Sequence, residues 1–194
     1  MAWSAPPGKR AGRPLLLALH GHGGDERQLA VAAAELPPEL VVVTARAPFP
    51  TGAGWSWFEL DESGRDASAA VTTELLDWLG RQPGHSSYGV LGLSQGAAMA
   101  LSLLRRDPER FDYAVQLSGF AIDTSPDAAL AALRPPVFSG HGDLDTVIPR
   151  HLVDATAGWL RTHTTLTERR YPQLGHSVGA DEVADAAAFI RGHM

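Results

Sequence analysis

Residues 92–96 read Gly-Leu-Ser-Gln-Gly, and this spacing of glycines around Ser94 is typical of a nucleophilic serine. The apolar run before it predicts a strand, and the stretch rich in Ala, Leu and Met after it predicts a helix. On so sharp a turn, a side chain at either glycine would collide with neighbouring backbone. An ordinary turn with a capping serine is the alternative, but the strand-to-helix setting favours a nucleophile. The N–H of Gln95, at the positive end of the helix, is then a candidate donor to an oxyanion.

A serine becomes a strong nucleophile only beside a general base that an acid orients. We assign His176 as the base because it lies on the loop between the last predicted strand and the final predicted helix, whereas His151 and His163 flank a predicted helix and His193 lies in the tail. Asp143 and Asp145 both follow an earlier predicted strand, and spacing alone leaves both open as the acid. The alternative for either aspartate is a noncatalytic role in forming the turn, which is common for Asp beside glycine. The order serine, aspartate, histidine along the chain is that of the α/β-hydrolases.

A Gly-rich turn, residues 19–25, follows the first predicted strand. Its small residues would let backbone N–H groups approach a developing oxyanion, and we expect His22 to donate through its backbone and not its ring. A metal site on the two histidines of this turn is the alternative. It is disfavoured because no third ligand stands at a suitable spacing. His20 and His141 are expected to be structural residues.

Short apolar runs alternate with amphipathic stretches, which predicts strands joined by crossover helices. The predicted strands are residues 15–20, 40–45, 88–93, 113–117, 136–139 and 165–171. The predicted helices are residues 26–35, 67–80, 95–106, 128–133, 150–161 and 180–191. The alternation predicts a mostly parallel twisted sheet flanked by helices, and together with the motif around Ser94 it leads us to expect a minimal α/β-hydrolase fold with no separate cap domain. Residues 1–14 are expected to be an N-terminal tail and residues 15–194 a single domain.

Residues 46–65 are rich in proline, glycine and aromatic side chains, which predicts a long loop. Loops of this length in a compact domain are usually functional or disordered. Its aromatic side chains would form either a wall of a substrate pocket or a small cluster that anchors the loop. Both interpretations stay open on the sequence.

Composition excludes several classes of function. The net charge of −6 argues against binding to nucleic acid or an anionic membrane, because both need clustered Lys and Arg. The chain has no cysteine, which excludes disulfides and thiolate chemistry. No apolar run approaches the ~20 residues that span a bilayer, and the first residues lack the pattern of a signal peptide. We expect a cytoplasmic protein that does not insert into membranes.

Taken together, the motifs resemble those of the phospholipase/carboxylesterase family, which includes acyl-protein thioesterases and bacterial carboxylesterases. The matching segments are residues 19–25, 56–58, 92–96, 141–149 and 175–176. The resemblance implies a triad of Ser94, Asp145 and His176, since the family's acid is the Asp that precedes an x-Val-Val/Ile-Pro element. It also implies His22 and Gln95 as oxyanion donors, and a Trp57-Phe58 pair near the acyl pocket.

The chain departs from the family pattern at two places. Its first clear strand begins only at Leu15, so the sheet is expected to lack an early strand. The segment between Ser118 and Pro135 is short compared with that of the thioesterases. A short segment leaves less protein for a lipid-binding flap, which disfavours a long-chain lipidated protein as substrate.

The sequence thus predicts a cofactor-free carboxylesterase that cleaves small esters with short or medium acyl chains through an acyl-enzyme on Ser94. A thioesterase or a lysophospholipase would use the same residues and differ only in the pocket. A noncatalytic binding protein on the same scaffold is the alternative outside enzymes. The natural substrate and the oligomeric state are not readable from the sequence.

Overall fold

The computed structural model describes residues 1–29, 35–52, 54–60, 64–82 and 84–194. Its strands are β1 (Ala2–Trp3), β2 (Leu15–Leu19), β3 (Val41–Ala45), β4 (Phe49–Thr51), β5 (Gly54–Ser56), β6 (Tyr88–Leu93), β7 (Tyr113–Leu117), β8 (Pro136–Gly142) and β9 (Thr165–Tyr171). Its helices are α1 (Gly64–Gly80), α2 (Gln95–Arg106), α3 (Ala128–Leu133), α4 (Arg150–His163) and α5 (Ala180–Arg191), with a short 3₁₀ helix at Pro7–Lys9.

Seven of these strands form one twisted sheet in the order β1-β3-β2-β6-β7-β8-β9. All neighbours in it pair in parallel except β1, which runs antiparallel to β3 at the edge. Every residue of β2, β3 and β7 is buried, as expected for parallel strands that helices cover on both faces. The remaining pair, β4 and β5, forms a separate antiparallel hairpin.

Alternate residues of the central strands build two cores on opposite faces of the sheet. On one face, Leu15, Leu17 and Leu19 of β2 pack in a cluster with apolar residues of α1, α2, α3 and α4. On the other face, Leu16 lies in a second cluster that includes Ile190 of α5. Helices on both faces of a parallel sheet define a doubly wound α/β architecture. Among the described residues no further domain covers the sheet.

The structure confirms the α/β fold and the six predicted strands, with ends that differ by at most three residues. Helices α2, α3 and α5 have the predicted bounds, while α1 begins three residues earlier and α4 ends two residues later. Half of the predicted helix at residues 26–35, residues 30–34, lies outside the described residues, and residues 26–29 and 35 form turns.

Two expectations are corrected. Ala2 and Trp3 supply the edge strand β1, so an early strand is present. A strand of two residues has too little pattern to be recognised in a sequence. The segment predicted as a loop contains the β4–β5 hairpin and the first two residues of α1. The hairpin is short and mostly half-exposed, so it lacks the apolar run that marked the other strands.

No helix in the described part of the chain is both long and apolar enough to cross a membrane. The cytoplasmic location and the division into a tail and one domain stay predictions.

Candidate active site

Ser94 lies on the turn between β6 and α2 with a strained backbone, at φ 54° and ψ −116°. The two flanking glycines explain how the turn closes. A Cβ at Gly92 would lie 2.1 Å from the carbonyl oxygen of Gly96, and one at Gly96 would lie 2.1 Å from that of Leu19. Only glycine fits at either position. The local sequence therefore forces Ser94 to the carboxyl end of the sheet, where α/β proteins place their sites.

Three side chains from three separate loops meet at this edge. Nε2 of His176 lies 2.9 Å from Oγ of Ser94, and Nδ1 of the same ring lies 2.8 Å from Oδ2 of Asp145. The loops that carry the two partners are joined by a hydrogen bond from the N–H of Leu144 to the carbonyl of Leu174. The structure thus brings Ser94, Asp145 and His176 into one hydrogen-bonded chain. This geometry is that of a nucleophile, a base and an orienting acid.

The structure separates the two aspartates that spacing left open. Asp143 is exposed and pairs with the guanidinium of Arg170 at 2.8 Å. The Asp145 side chain is fully buried and reaches His176 directly. Its Oδ1 accepts the backbone N–H groups of Val147 and Ile148 at 2.8 and 3.2 Å.

These contacts decide the charge of Asp145. Burial alone would raise the pKa of this carboxyl, because a charge is costly away from water. The hydrogen bonds from His176 and from the backbone of Val147 and Ile148 outweigh burial and hold its pKa below the ordinary value. Asp145 is therefore ionised at neutral pH, as a group that must stabilise an imidazolium requires.

The Gly-rich turn of residues 19–25 is held in place by the β4–β5 hairpin. The N–H of Gly23 donates to the carbonyl of Trp55, and the N–H of Trp55 donates to the carbonyl of Gly24, both at 2.9 Å. Gly23 has a φ of +74°, which favours glycine. Gly54 must also be glycine, since its Cβ would lie 1.9 Å from the Gly23 carbonyl oxygen. The hairpin, which the sequence did not reveal, thus shapes the turn that carries His22.

A buried hydrogen-bond network links that turn to the start of α2. The side-chain amide of Gln95 donates to the carbonyl of Phe58 at 2.7 Å, and its Oε1 accepts the N–H of Trp57 at 2.9 Å. Ser56 Oγ lies within 3.2 Å of both the Gln95 amide and Nδ1 of His22. The network thus ties the side chains of His22 and Gln95, whose backbone N–H groups are the two candidate oxyanion donors, to Ser56. Ser56 was not predicted as a site residue; its place in the Ser-Trp-Phe motif was the available signal.

His20 is a structural residue. Its Nε2 accepts the N–H of Ala47 at 3.0 Å, so the ring proton sits on Nδ1, which donates to the Gly21 carbonyl at 2.7 Å. Burial lowers the pKa of this imidazole, which keeps the ring neutral. Both ring nitrogens are thus occupied, and the described residues contain no cluster of three His, Asp or Glu side chains that would hold a metal.

A mostly apolar cleft of about 740 Å³ opens beside Ser94. The described residues that line it are His22, Phe58, Glu59, Leu60, Gly64, Arg65, Ser94, Gln95, Phe120, Ala121, Ile122, Val147, Ile148, Pro149, Leu152 and His176. An apolar pocket with a few convergent polar groups is what a small organic substrate requires.

The two predicted pocket aromatics have different positions. Phe58 lines the cleft, whereas Trp57 is 1% exposed and is not among the lining residues. Trp57 packs in the core, where its Nε1 donates to the carbonyl of His20 at 2.7 Å. The assignment of Trp57 to the pocket is therefore corrected: it anchors the loop, and Phe58 forms the wall. Phe58 thus lies at the cleft and Trp57 in the core, and a role of Phe58 in substrate binding stays a prediction.

Together, the doubly wound sheet and the serine on its strand-to-helix turn define the chain as an α/β-hydrolase. A family model described as phospholipase/carboxylesterase matches residues 6–194. The chain therefore belongs to the phospholipase/carboxylesterase family.

Individual relatives agree with this family. Acyl-protein thioesterase 1 of Saccharomyces cerevisiae is 32% identical over 109 residues, which cover 52% of this chain and 47% of the yeast protein. The chain thus aligns with about half the length of the curated relatives that it matches. The crystal structure of esterase PE8 is 27% identical with a TM-score of 0.82, covering 100% of this chain and 98% of that one. The Bacillus cereus carboxylesterase shares the fold, with a TM-score of 0.84 at 22% identity, covering 100% of this chain and 93% of that one.

Proposed function

We propose that this protein is a cofactor-free serine carboxylesterase that hydrolyses small carboxylic esters with short or medium acyl chains. The observation that carries the proposal is the hydrogen-bonded chain from Asp145 through His176 to Ser94, at 2.8 and 2.9 Å, beside an apolar cleft. Family membership agrees with this chemistry.

The reaction has two halves. In the first, Nε2 of His176 takes the proton of Ser94 Oγ as the oxygen attacks the ester carbonyl carbon. The oxyanion lies at the backbone N–H groups of His22 and Gln95, and the alcohol leaves with the proton from His176. In the second half, His176 takes a proton from water as the water attacks the acyl-enzyme, and it returns that proton to Ser94 Oγ as the acid is released. Asp145 stabilises the imidazolium in both halves.

The proposed acyl-chain range rests on how little protein covers the cleft. Between β7 and β8 the chain contributes only one six-residue helix, α3, whereas a long acyl chain needs a deep or covered channel. Leu60 and Val147, at the cleft, are 65% and 60% exposed, so the cleft opens to solvent along its apolar wall. A short or medium chain would be covered, and a longer one would extend into water.

An acyl-protein thioesterase is the second candidate, and the match to the yeast protein of that name favours it. The same residues would cleave a thioester, so the two functions differ in substrate binding and not in the reacting groups. Competition between a palmitoyl thioester and a short-chain ester separates them by the ratio of their kcat/KM values.

The experiment is hydrolysis of p-nitrophenyl esters from acetate to palmitate by the wild type, Ser94→Ala and Ser102→Ala. We expect Ser94→Ala to fold and to lose roughly 10⁴-fold or more in turnover, because triad residues act as a unit. Ser102 is the matched control: it lies on the same helix, and its hydroxyl donates to the carbonyl of Ala98 at 2.9 Å. The wild-type rate should be highest for short or medium chains.

Three other outcomes are informative. A rate that is highest for palmitate would favour the lipid thioesterase. Equal rates for wild type and Ser94→Ala would contradict the assigned nucleophile. If no ester is turned over and a fluorophosphonate fails to label Ser94, the noncatalytic binding protein becomes the better account.

A further inference from the structure

Asp145 contacts a second imidazole besides that of His176. Nε2 of His141 lies 3.3 Å from Oδ2 of Asp145, the same oxygen that lies 2.8 Å from Nδ1 of His176. The side chain of His141 is 5% exposed and that of Asp145 is fully buried, so water does not screen this contact. His141 was expected to be a structural residue, yet it lies against the acid of the proposed triad.

The direction of the contact follows from the chemistry of the two groups. An ionised carboxylate only accepts hydrogen bonds, so the contact is favourable only when Nε2 of His141 carries a proton. Burial lowers the pKa of His141, and the ring is therefore neutral near pH 7 with its single proton on Nε2. Nδ1 is then unprotonated and can only accept a hydrogen bond, and it is buried with no hydrogen-bond partner among the described residues.

The charged groups around this ring come from three segments. Asp143 and Asp145 follow β8, and both favour a protonated ring. Arg170 on β9 and His176 after β9 oppose it. Burial acts in the same direction as Arg170 and His176 and keeps the ring of His141 neutral.

We propose that His141 is a positioning residue that donates from Nε2 to Asp145 Oδ2 and thereby sets how strongly Asp145 holds His176. The proposal rests on the proposed function, since it assigns Asp145 and His176 their roles as acid and base. With the donors Val147 and Ile148 on Oδ1, a donor on Oδ2 locks the rotation of the carboxylate. It also withdraws part of the charge of Oδ2 from His176.

Removal of this donor has two expected effects. The undivided charge of Asp145 would stabilise the imidazolium of His176 more strongly, so the neutral base would form only at higher pH. The freed carboxylate would also orient His176 less well, which lowers the rate at every pH. A purely structural His141 would affect protein stability without moving the pH at which the base titrates.

The test compares His141→Leu, which fills similar volume without a donor, with His141→Gln, whose amide nitrogen replaces Nε2 as a donor. The readout is the rate at which a fluorophosphonate labels Ser94 as a function of pH. We expect His141→Leu to move the acid limb to higher pH by about half a unit to one unit and to lower the plateau about tenfold. His141→Gln should keep the wild-type midpoint.

Equal midpoints in all three proteins would overturn the proposal, while absence of labelling in the wild type would instead overturn the proposed function. A second measurement needs neither activity nor a folded variant. Long-range ¹H–¹⁵N spectra of the wild type should show His141 as the neutral Nε2–H tautomer at pH 7. A neutral Nδ1–H tautomer or a doubly protonated ring would refute the proposed donor.

Discussion

Two carboxyl groups with buried side chains lie next to β8, and their pKa values are shifted in opposite directions. Asp145 follows the strand and is surrounded by donors, which hold its pKa below the ordinary value despite burial. Glu182, in the first turn of α5, packs on Gly140 of β8 with 0% exposure. Neither of its oxygens makes a well-formed hydrogen bond with the described residues. Burial raises the pKa of Glu182 to about 7, and the nearby Gly179 N–H offsets only part of that effect.

The difference shows what keeps a buried carboxylate charged. Both side chains are shielded from water, Glu182 more deeply, and only Asp145 is surrounded by donors that favour its charged form. Asp145 receives N–H groups from two backbone positions and at least one imidazole, whereas Glu182 receives little help. The loop that follows β8 therefore keeps the proposed catalytic acid ionised, because it supplies backbone N–H donors to the carboxylate. Glu182 has no comparable set of donors and is largely neutral below pH 7.

The largest effect is expected when the charge of Asp145 is removed. Asp145→Asn keeps the shape but stabilises no imidazolium and favours the wrong tautomer of His176, so kcat should fall roughly 10⁴-fold. Steady-state hydrolysis of a p-nitrophenyl ester measures this. Asp143→Asn is the matched control: Asp143 is exposed and paired with Arg170, and its loss should leave the rate within about twofold of wild type. A large loss in Asp143→Asn and a small one in Asp145→Asn would reverse the assignment.

A smaller effect is expected from the titration of Glu182. Because its pKa rises from 4.5 in the unfolded chain to about 7 in the folded protein, its stabilising contribution is full below pH 4.5 and is lost as the pH rises through about 7. The loss amounts to roughly 3 kcal/mol, since each pKa unit is worth about 1.4 kcal/mol. Glu182→Gln cannot titrate and should lack this fall. Urea unfolding of both proteins at pH 5 and pH 8 measures the difference.

Glu74→Gln is the control for that experiment because Glu74 is exposed on α1. It should lose as much stability between the two pH values as the wild type does. If Glu182→Gln also follows the wild type, Glu182 is ionised in the folded protein and the contrast with Asp145 disappears.

The smallest effects test the packing around Glu182. A Cβ at Gly140 would lie 2.3 Å from Oε1 of Glu182, so Gly140→Ala should destabilise the protein by about 1–3 kcal/mol. Gly158 on α4 has no heavy atom within 4 Å of its Cβ position, and Gly158→Ala should stabilise the protein by about 0.5–1 kcal/mol. Thermal unfolding of the two variants should therefore shift in opposite directions. Shifts of the same sign would mean that Glu182 moves aside without cost.

Sequence patterns sufficed for elements whose local signal was strong. Strands β2, β3, β6 and β7 are mostly apolar runs because helices cover them on both faces, so their residue types alone predicted buried strands. The bounds of α2 were readable because Gly92 and Gly96 mark its start and Asp107-Pro108 follows its end. The edge strand β1 and the hairpin β4–β5 were missed, since short half-exposed strands carry almost no pattern.

The candidate site also contains residues that the sequence predicted and residues that only the structure could assign. Chain order and the residue types around Ser94 and His176 were enough to propose a nucleophile and a base. Spacing left Asp143 and Asp145 equal, because both follow one strand at nearly the same distance along the chain. They differ only through Arg170 and His176, which arrive from β9 and the loop after it.

The sequence by itself determined the fold class, the sharp turn at Ser94 and the order of the proposed reacting groups, because each follows from residue types read along the chain. Only the tertiary structure decided which aspartate meets His176, that Trp57 anchors the loop while Phe58 faces the cleft, and that His141 and Glu182 lie buried around β8. These depend on contacts between segments far apart in the chain. Burial and hydrogen bonding, which set the charge of a carboxyl group or an imidazole, exist only after those segments have packed together.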